Sequence, residues 1–159
     1  MSKPSERLRE LGITLPDVPR PVAAYVPWVR HGETILLSGQ IPIRDGKVVY
    51  TGQAGFEQKL EDAKQAARLC AINAMAVAAQ AAGGIDRIQR VLKVVVYVAS
   101  HEDFHEQHLV ANGASELFVD VFGDAGRHAR AAVGVAELPL NSTVEIDVTF
   151  VAPAAGESG

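Results

Sequence analysis

The segment Val91–Ala99 constrains the fold most, because it has the pattern of a β-strand that is apolar on both faces. Successive side chains of a strand point to opposite faces of the sheet. One face carries Leu92, Val94, Val96 and Val98, and the other carries Val91, Val95, Tyr97 and Ala99, interrupted only by Lys93. Both faces of this strand must therefore be covered, either by helices or by another chain.

Two helices are predicted, which is enough to cover one face of a sheet. Gly83–Gly84 ends the first, and its many alanines favour close packing on a flat partner. The second is predicted from about Gln107 to Phe122, ended by Gly123. Because the other sheet face is left for a second copy of the chain, we expect a homo-oligomer. The first helix shows the spacing of one helical face, with apolar residues at Phe56, Leu60, Ala63, Ala67, Cys70, Ala74, Val77 and Ala81.

Shorter elements complete the predicted domain. Ser5 is expected to cap a short helix that ends near Leu11–Gly12, after which prolines force an extended connector. This order of elements indicates an α+β domain with helices on one face of a mixed or mainly antiparallel sheet. We divide the chain into an N-terminal helix and connector (1–21), a main domain (22–152) and a flexible tail (153–159). The remaining strands are predicted at Val22–Val29, Glu33–Leu37, Val48–Tyr50, Ala129–Ala136 and Val144–Ala152.

Composition argues against several classes of function. The 159 residues include 15 Lys and Arg against 19 Asp and Glu, a net charge of −4 without a basic stripe, which disfavours nucleic acid as a partner. Cys70 is the single cysteine, so no disulfide can form within the chain and no cysteine zinc cluster can exist. No segment has the apolar pattern of a signal peptide or a membrane span. We expect a cytoplasmic protein without a membrane partner.

The sequence His101-Glu102-Asp103-Phe104-His105 matches the H-E-x-x-H pattern of zinc proteases. In those enzymes both histidines lie within one helix. Here a predicted strand ends directly before His101, so the motif falls at a strand-to-helix junction among charged residues. We therefore interpret it as a surface turn and predict no metal site.

Charged residues interrupt the apolar alternation of the last two predicted strands. In the final strand, alternate residues of Val144–Phe150 match the helices, so Glu145 lies on the opposite face. In the strand before it, Ala131 and Val133 belong to the bulkier apolar side, which leaves Arg130 on the other. We therefore expect Arg130 and Glu145 to share the face that oligomerisation buries. There Arg130 either captures a substrate carboxylate through two hydrogen bonds or forms a structural salt bridge with Glu145.

These residues resemble the RidA/YjgF (reactive intermediate deaminase) family. Ser38–Pro42 is similar to its early strand motif, Arg130–Pro139 to its Arg-x-x-Val-x-Val-x-x-Leu-Pro pattern, and Glu145 to an acidic residue in the next strand. The resemblance implies a chorismate-mutase-like α+β subunit, with two main helices on one face of a mixed sheet. It also implies a homotrimer with ligand clefts between subunits. The N-terminal extension (Arg7–Gly12) and the run Asn112–Ser115 indicate a longer subgroup.

The resemblance also implies which residues form the cleft. Arg130 would hold the substrate carboxylate, and Glu145 would act on the hydrolytic water. His128 and the lengthened loop Gly123–Arg127 differ from the usual family pattern and are expected to reshape the cleft. The other expected substrate-binding residues are Tyr25, Ser38, Gly39, Asn112 and, through its backbone, Ala132.

The implied reaction is hydrolysis of a 2-imino or 2-enamino acid to a 2-keto acid and ammonia. It needs a clamp for a small carboxylate-bearing metabolite, a positioned water and a proton relay, and no metal or organic cofactor. Three alternatives stay open. The trimer could bind such a metabolite without turnover. It could cleave RNA, although its net charge of −4 disfavours RNA binding. It could also catalyse chorismate mutation, which no further residue supports.

Overall fold

Two long helices cover one face of a mixed five-stranded sheet, as the sequence predicts for an α+β domain. The computed structural model describes residues 2–20 and 22–154. The sheet order is β1-β2-β7-β5-β6, in which only β5 and β6 run parallel, and β3 and β4 form a separate hairpin. The strands are β1 (Trp28–His31), β2 (Thr34–Leu37), β3 (Ile43–Arg44), β4 (Lys47–Val48), β5 (Arg90–Ala99), β6 (Ala129–Val135) and β7 (Val144–Val151), and the helices are α1 (Pro4–Glu10), α2 (Leu60–Ala82) and α3 (Gln107–Phe122).

Helix α3 has the predicted bounds, whereas α2 begins later than predicted. The prediction that Phe56 belongs to the apolar face of α2 is wrong. Phe56 lies in a turn in which its amide donates to the carbonyl of Gln53 (3.3 Å), and its ring is 68% exposed. The buried part of the predicted face comprises Ala63, Ala67, Cys70, Ala74 and Val77. Gly83 ends the helix in the left-handed conformation, with φ of 84°.

The alanine-rich face of α2 lies close to the sheet. The Cys70 thiol is fully buried and its sulfur lies 3.7 Å from the carbonyl oxygen of Val144 in β7. Burial raises the pKa of this thiol well above its ordinary value, and the negative charge of Glu145 raises it further. The thiol therefore stays protonated and is an inert part of the core.

A β-bulge changes the alternation at the start of β5. The register of β5 against β7 shifts between Val91 and Lys93, which makes Leu92 an extra residue in β5. Such an extra residue reverses the face on which the preceding side chains lie. Val91 therefore joins Val94 on the helix-covered side, where both are fully buried. The prediction that Leu92 shares this side is wrong, because the bulge leaves Leu92 44% exposed.

The N-terminal helix is present, but its cap differs from the prediction. Lys3 and not Ser5 is the N-cap residue. The Ser5 amide and hydroxyl instead donate to the carboxylate of Asp86, at 2.8 and 2.7 Å. Arg7 Nε donates to the carbonyl of Asp120 at the end of α3 (2.9 Å). These bonds attach α1 to the turn that follows α2 and to the last turn of α3.

Three predicted boundaries are corrected at the periphery. The first strand begins at Trp28 and not at Val22, because Pro27 has no N–H to donate to a ladder. The strand expected at Val48–Tyr50 is the shorter β4, which follows a turn with positive φ at Asp45 and Gly46. Pro153, expected in a frayed tail, is buried and its carbonyl accepts a hydrogen bond from Arg30. The rest of the predicted tail from residue 155 lies outside the described residues.

The second face of the sheet carries no helix. Exposed apolar side chains on it include Val29 (60%), Leu36 (47%) and Val133 (41%), beside the half-buried Val95 and Tyr97. An apolar sheet face of this kind indicates an interaction surface. Among the described residues, no helix is long and apolar enough to cross a membrane.

Helices α2 and α3 pack closely at Gly113. A Cβ placed on this residue would lie 2.1 Å from the carbonyl oxygen of Lys64 in α2, and real Cβ atoms essentially never approach other heavy atoms below 3.0 Å. The glycine therefore sets the distance between the two helices.

We predict that Gly113→Ala destabilises the protein although alanine is the better helix former. Helix propensity gains about 1 kcal/mol, but forcing two backbones apart costs roughly 1–3 kcal/mol or more. Thermal denaturation should show a lower melting temperature. Glu116→Ala, an exposed change on the same helix, is the control and should shift stability by less than about 0.5 kcal/mol. An unchanged or higher melting temperature for Gly113→Ala would contradict this account.

Candidate functional site

Arg130 lies on the edge strand β6, and its side chain faces the helices. In the parallel pairing of β6 with β5, Arg130 lies opposite Val94 and Ala132 opposite Val96, and both valines are buried under the helices. Ala132 and Gly134 are small, so α3 can approach β6 closely; a Cβ on Gly134 would lie 2.8 Å from Gln107 Nε2. The guanidinium is therefore held between an edge strand and a helix, half-buried.

Three residues of α3 bind the guanidinium of Arg130. Its Nη1 donates to Asn112 Oδ1 (2.8 Å) and to Ser115 Oγ (3.2 Å), and its Nη2 donates to the backbone carbonyl of His108 (3.3 Å). Residues 108, 112 and 115 are spaced by four and three, so they form one stripe along the helix. Asn112, expected as a substrate-binding residue, here holds Arg130.

His128 extends this network by a second layer. Its Nδ1 lies 2.6 Å from the carbonyl of Gly126, which can only accept, so Nδ1 carries the proton. In the neutral ring Nε2 is then an acceptor, and the Ser115 hydroxyl donates to it at 2.8 Å. The ring also packs edge-on against Phe118, with centroids 5.8 Å apart. Burial lowers the pKa of His128, and the charge of Arg130 lowers it further although the bond to Gly126 acts in the opposite direction.

Two of the five N–H donors of Arg130 have no acceptor in the described part of the chain. The two hydrogens of Nη1 and one of Nη2 are used, which leaves the Nε hydrogen and the second hydrogen of Nη2. These two nitrogens form one edge of the planar guanidinium, and such an edge matches the two oxygens of a carboxylate. The arrangement can therefore bind one small carboxylate.

Glu145 lies on the uncovered face of the sheet. It pairs with Tyr97 across β7 and β5, and its side chain lies over Gly39, where a Cβ would come within 2.0 Å of Glu145 Oε1. Residue 39 therefore has to be glycine for Glu145 to keep this position. A cleft of about 310 Å³ is lined here by Leu37, Gly39, Tyr97, Leu138, Glu145 and Asp147.

The environment of Glu145 suits proton transfer. Burial raises the pKa of its carboxyl above the ordinary value, and the charge of Asp147 two residues further along the same face raises it further. No donor among the described residues forms a hydrogen bond with this carboxylate. A carboxyl group with a raised pKa is a stronger base when ionised and can return the proton afterwards.

The prediction that Arg130 and Glu145 share a face is wrong. Glu145 lies opposite Tyr97 and Arg130 lies opposite Val94, and these positions in β5 point to opposite sides of the sheet. The structural salt bridge between Arg130 and Glu145 of one chain is excluded with it. The error arose in β6, where the bulkier residues such as Val133 face away from the helices and the small ones face toward them.

The other predicted site residues fall beside these two positions. Gly39 and Ser38 lie next to Glu145, and the Ser38 hydroxyl donates to the carbonyl of Val26 (2.6 Å). This bond ties the exposed segment that carries Tyr25, itself 64% exposed, to the start of the cleft. The structure thus places Ser38 and Gly39 beside Glu145, and Asn112 and Ala132 beside Arg130, on opposite faces.

The H-E-x-x-H motif does not form a metal-binding helix. His101 follows the end of β5 and α3 begins only at Gln107, which confirms the predicted strand-to-helix junction. His101 stacks on Phe56 with ring centroids 5.0 Å apart. Within residues 2–20 and 22–154, no group of three or more His, Cys, Asp or Glu side chains could hold a metal ion.

Comparison with known proteins identifies the family. Residues 5–151 match the family model described as "YjgF/chorismate_mutase-like, putative endoribonuclease". The chain belongs to the RidA/YjgF family. The chorismate-mutase-like fold that the sequence predicts is thereby confirmed.

Three known proteins resemble this chain over most of its length. Protein TCP17 of Trypanosoma cruzi is 45% identical over 141 residues, 88% of either chain. The 2-iminobutanoate/2-iminopropanoate deaminase of Dermatophagoides farinae is 32% identical over 139 residues, 87% of this chain and 94% of that one. The crystal structure of Atu1372 from Agrobacterium tumefaciens, a protein of unknown function, superposes with a TM-score of 0.88 at 46% identity, covering 94% of this chain and 92% of that one.

Ser115 is the residue of this site that sequence reasoning missed. The signal was present, because a polar stripe of His108, Asn112 and Ser115 runs along α3 at helical spacing. In the sequence His128 stands out only as a departure from the family pattern, and its contacts with Ser115 and Gly126 come from the fold of the loop before β6.

We predict that His128 makes stability fall at mildly acidic pH. Its pKa in the folded protein lies below the ordinary value of 6.5, so the unfolded chain binds more protons in the interval between the two values. With respect to His128, the free energy of unfolding is therefore highest above pH 6.5 and falls as the pH decreases through this interval. Between pH 7.5 and 5 the melting temperature should fall less steeply with decreasing pH for His128→Gln than for wild type. Identical pH profiles would contradict the lowered pKa.

Proposed function

We propose that this chain hydrolyses 2-imino or 2-enamino acids to 2-keto acids and ammonia, in clefts between the subunits of a homotrimer. The observation that carries the proposal is the free two-donor edge of Arg130, held beside small residues at a sheet edge. Membership of a family that includes a named 2-iminobutanoate/2-iminopropanoate deaminase supports the reaction type. The family description also names endoribonuclease activity, which the net charge of −4 does not favour.

The free edge of Arg130 binds the substrate carboxylate in this proposal. Three of its donors are already engaged by α3, so the side chain is ordered before the substrate arrives. Binding then costs little side-chain entropy, which is the advantage of a preorganised site. Ala132 lies on the same side of β6 as Arg130 and would contribute its backbone only.

A second subunit supplies Glu145. Within one chain the two residues point to opposite faces of the sheet, so a single subunit does not bring a carboxylate on Arg130 to Glu145. The uncovered apolar face that contains Glu145 also needs a partner. Docking the Arg130 edge of one subunit against the Glu145 face of its neighbour satisfies both requirements and forms one cleft per interface.

The chemistry needs one water molecule and one proton relay. Water adds to the carbon of the C=N group while Glu145 takes one of its protons, and the nitrogen of the resulting carbinolamine then receives that proton. The hydroxyl proton of the carbinolamine then moves through Glu145 to the nitrogen as well, ammonia leaves with the electrons of the C–N bond, and the water oxygen becomes the keto oxygen. The raised pKa of the Glu145 carboxyl suits both proton transfers. Ser38, next to Gly39 in the chain, and Tyr25, on the segment that Ser38 binds at Val26, would enclose the substrate.

We predict that Arg130→Ala abolishes imine hydrolysis while the assembly stays folded. Losing one partner of a desolvated charge pair costs roughly 2–5 kcal/mol, which is about 30- to several-thousand-fold in rate or affinity. Arg130→Lys should rescue poorly, because an ammonium lacks the planar two-donor edge. Keto-acid release from enzymatically generated 2-aminoacrylate gives the activity, and light scattering and thermal denaturation give assembly and stability.

Arg30→Ala is the matched control for Arg130→Ala, because the hydrogen bonds of Arg30 to described residues go to the backbone carbonyls of Ala152 and Pro153. It should keep full turnover per intact assembly. If Arg130→Ala retains turnover and only loses stability, Arg130 is structural and the proposal fails. A wild-type protein that binds pyruvate through Arg130 but never releases keto acid would indicate a binding module instead of an enzyme.

We also predict that two inactive variants complement each other. Arg130→Ala and Glu145→Gln subunits, carrying different affinity tags, are co-expressed and purified through both tags. In each mixed trimer one cleft of three combines an intact Arg130 with an intact Glu145, so activity should return to about one third of wild type. If both residues serve a site within one chain, the mixed trimers stay inactive.

The complementation experiment has two controls. Arg130→Ala subunits carrying the two tags should form mixed trimers without activity, which shows that the tags do not restore function. Wild-type subunits treated in the same way should keep full activity. A mass near three times the 16.9 kDa subunit establishes the trimer on which the one-third value depends.

A further inference from the structure

We propose that Ser115 and His128 are positioning residues that fix the orientation of the Arg130 guanidinium. The inference rests on the proposed function, in which Arg130 binds the substrate carboxylate. Neither residue needs to touch the substrate for this role. Both act on the opposite edge of the guanidinium from the one left free.

A series of hydrogen bonds links Arg130 through Ser115 and His128 to the carbonyl of Gly126. This carbonyl determines the direction of each bond in the series. The carbonyl of Gly126 cannot donate, so His128 Nδ1 must, and in the neutral ring His128 Nε2 then accepts from the Ser115 hydroxyl. The Ser115 oxygen is left with lone pairs for Arg130 Nη1, at 3.2 Å. Each group has one available role, and the guanidinium is consequently held in one orientation.

The loop before β6 is built to present the carbonyl of Gly126. The segment Gly123–Gly126 forms a 3-10 turn in which Gly126 is buried against α3. A Cβ on Gly126 would lie 2.2 Å from the carbonyl oxygen of Phe118, so only glycine fits there. The same helix residue Phe118 supports the His128 ring edge-on. The lengthened loop and His128, two departures from the family pattern, thus form one device.

Asn112 cannot fix the guanidinium alone. It binds Nη1, and the His108 carbonyl binds Nη2 at the longer distance of 3.3 Å. The Ser115 hydroxyl occupies the second hydrogen of Nη1 and prevents this nitrogen from competing with the free edge for a ligand oxygen. Removing Ser115 or His128 would therefore leave the charge of Arg130 in place but weaken its geometric match to a carboxylate.

The test compares Ser115→Ala and His128→Phe with His128→Gln. Phenylalanine keeps the packing on Phe118 but loses both ring nitrogens, whereas glutamine can again offer an acceptor to the Ser115 hydroxyl. A net hydrogen bond contributes about 1 kcal/mol, so Ser115→Ala and His128→Phe should raise KM, and the Kd for pyruvate, about fivefold. Because the carboxylate is bound equally in substrate and transition state, kcat should change little. His128→Gln should lie closer to wild type.

Two controls separate positioning from a structural role. Glu116→Ala, the exposed neighbour of Ser115, should leave KM unchanged. Adding Ser115→Ala to Arg130→Ala should weaken pyruvate binding no further, because Ser115 acts only through Arg130. A lower melting temperature without a change in Kd, or a full additional loss in the double variant, would overturn the inference.

A measurement without ligand keeps the inference testable if the proposed function fails. Nitrogen NMR of the full-length protein should show His128 with its proton on Nδ1, and Ser115→Ala should make the Arg130 side-chain N–H groups exchange faster with solvent. If wild type binds no keto acid and Arg130→Ala changes nothing, the proposed function fails, and the NMR result alone decides the positioning role. A proton on Nε2, or unchanged exchange in Ser115→Ala, overturns it.

Discussion

A sheet with helices on only one face is the constraint on which the rest of this structure depends. Helices α2 and α3 bury one side of β5 and β7, and nothing within the described residues covers the other. The sheet also separates the two proposed functional residues, because Arg130 lies on the covered side and Glu145 on the open side. A subunit folded in this way contains both functional groups but cannot use them together.

Close packing by small residues makes the covered side suitable for a site. Gly113 lets α3 lie near α2, and Ala132 and Gly134 let it lie near β6. The same proximity brings Asn112 and Ser115 within hydrogen-bond distance of Arg130. Larger side chains at these positions would move α3 outward and leave an edge-strand arginine in solvent. The small residues that give the core little hydrophobic area therefore allow a charged group to be ordered without being fully buried.

Much of the fold could be predicted from the sequence because local periodicity determines it. The bounds of α3 and the faces of β7 follow from spacing alone. The side of Leu92 could not be predicted, because a β-bulge depends on the pairing of two strands and leaves no mark in one of them. The face of the sheet on which Arg130 lies could not be predicted for a related reason. Bulky apolar residues ordinarily indicate the buried side of a strand, whereas in β6 the nearness of α3 selects the small residues and the open face accepts Val133.

The placement of Arg130 and Glu145 on opposite faces also has a genetic consequence if the proposed clefts exist. A subunit that assembles normally but lacks Arg130 disables one cleft, yet its intact Glu145 still completes the cleft of a neighbour. The number of working clefts in a mixed assembly therefore equals the number of subunits with an intact Arg130. The wild-type product loses nothing by co-assembly with the variant. Substitutions at Arg130 or Glu145 are thus expected to be recessive to the wild-type allele, although mixed assemblies contain inactive clefts.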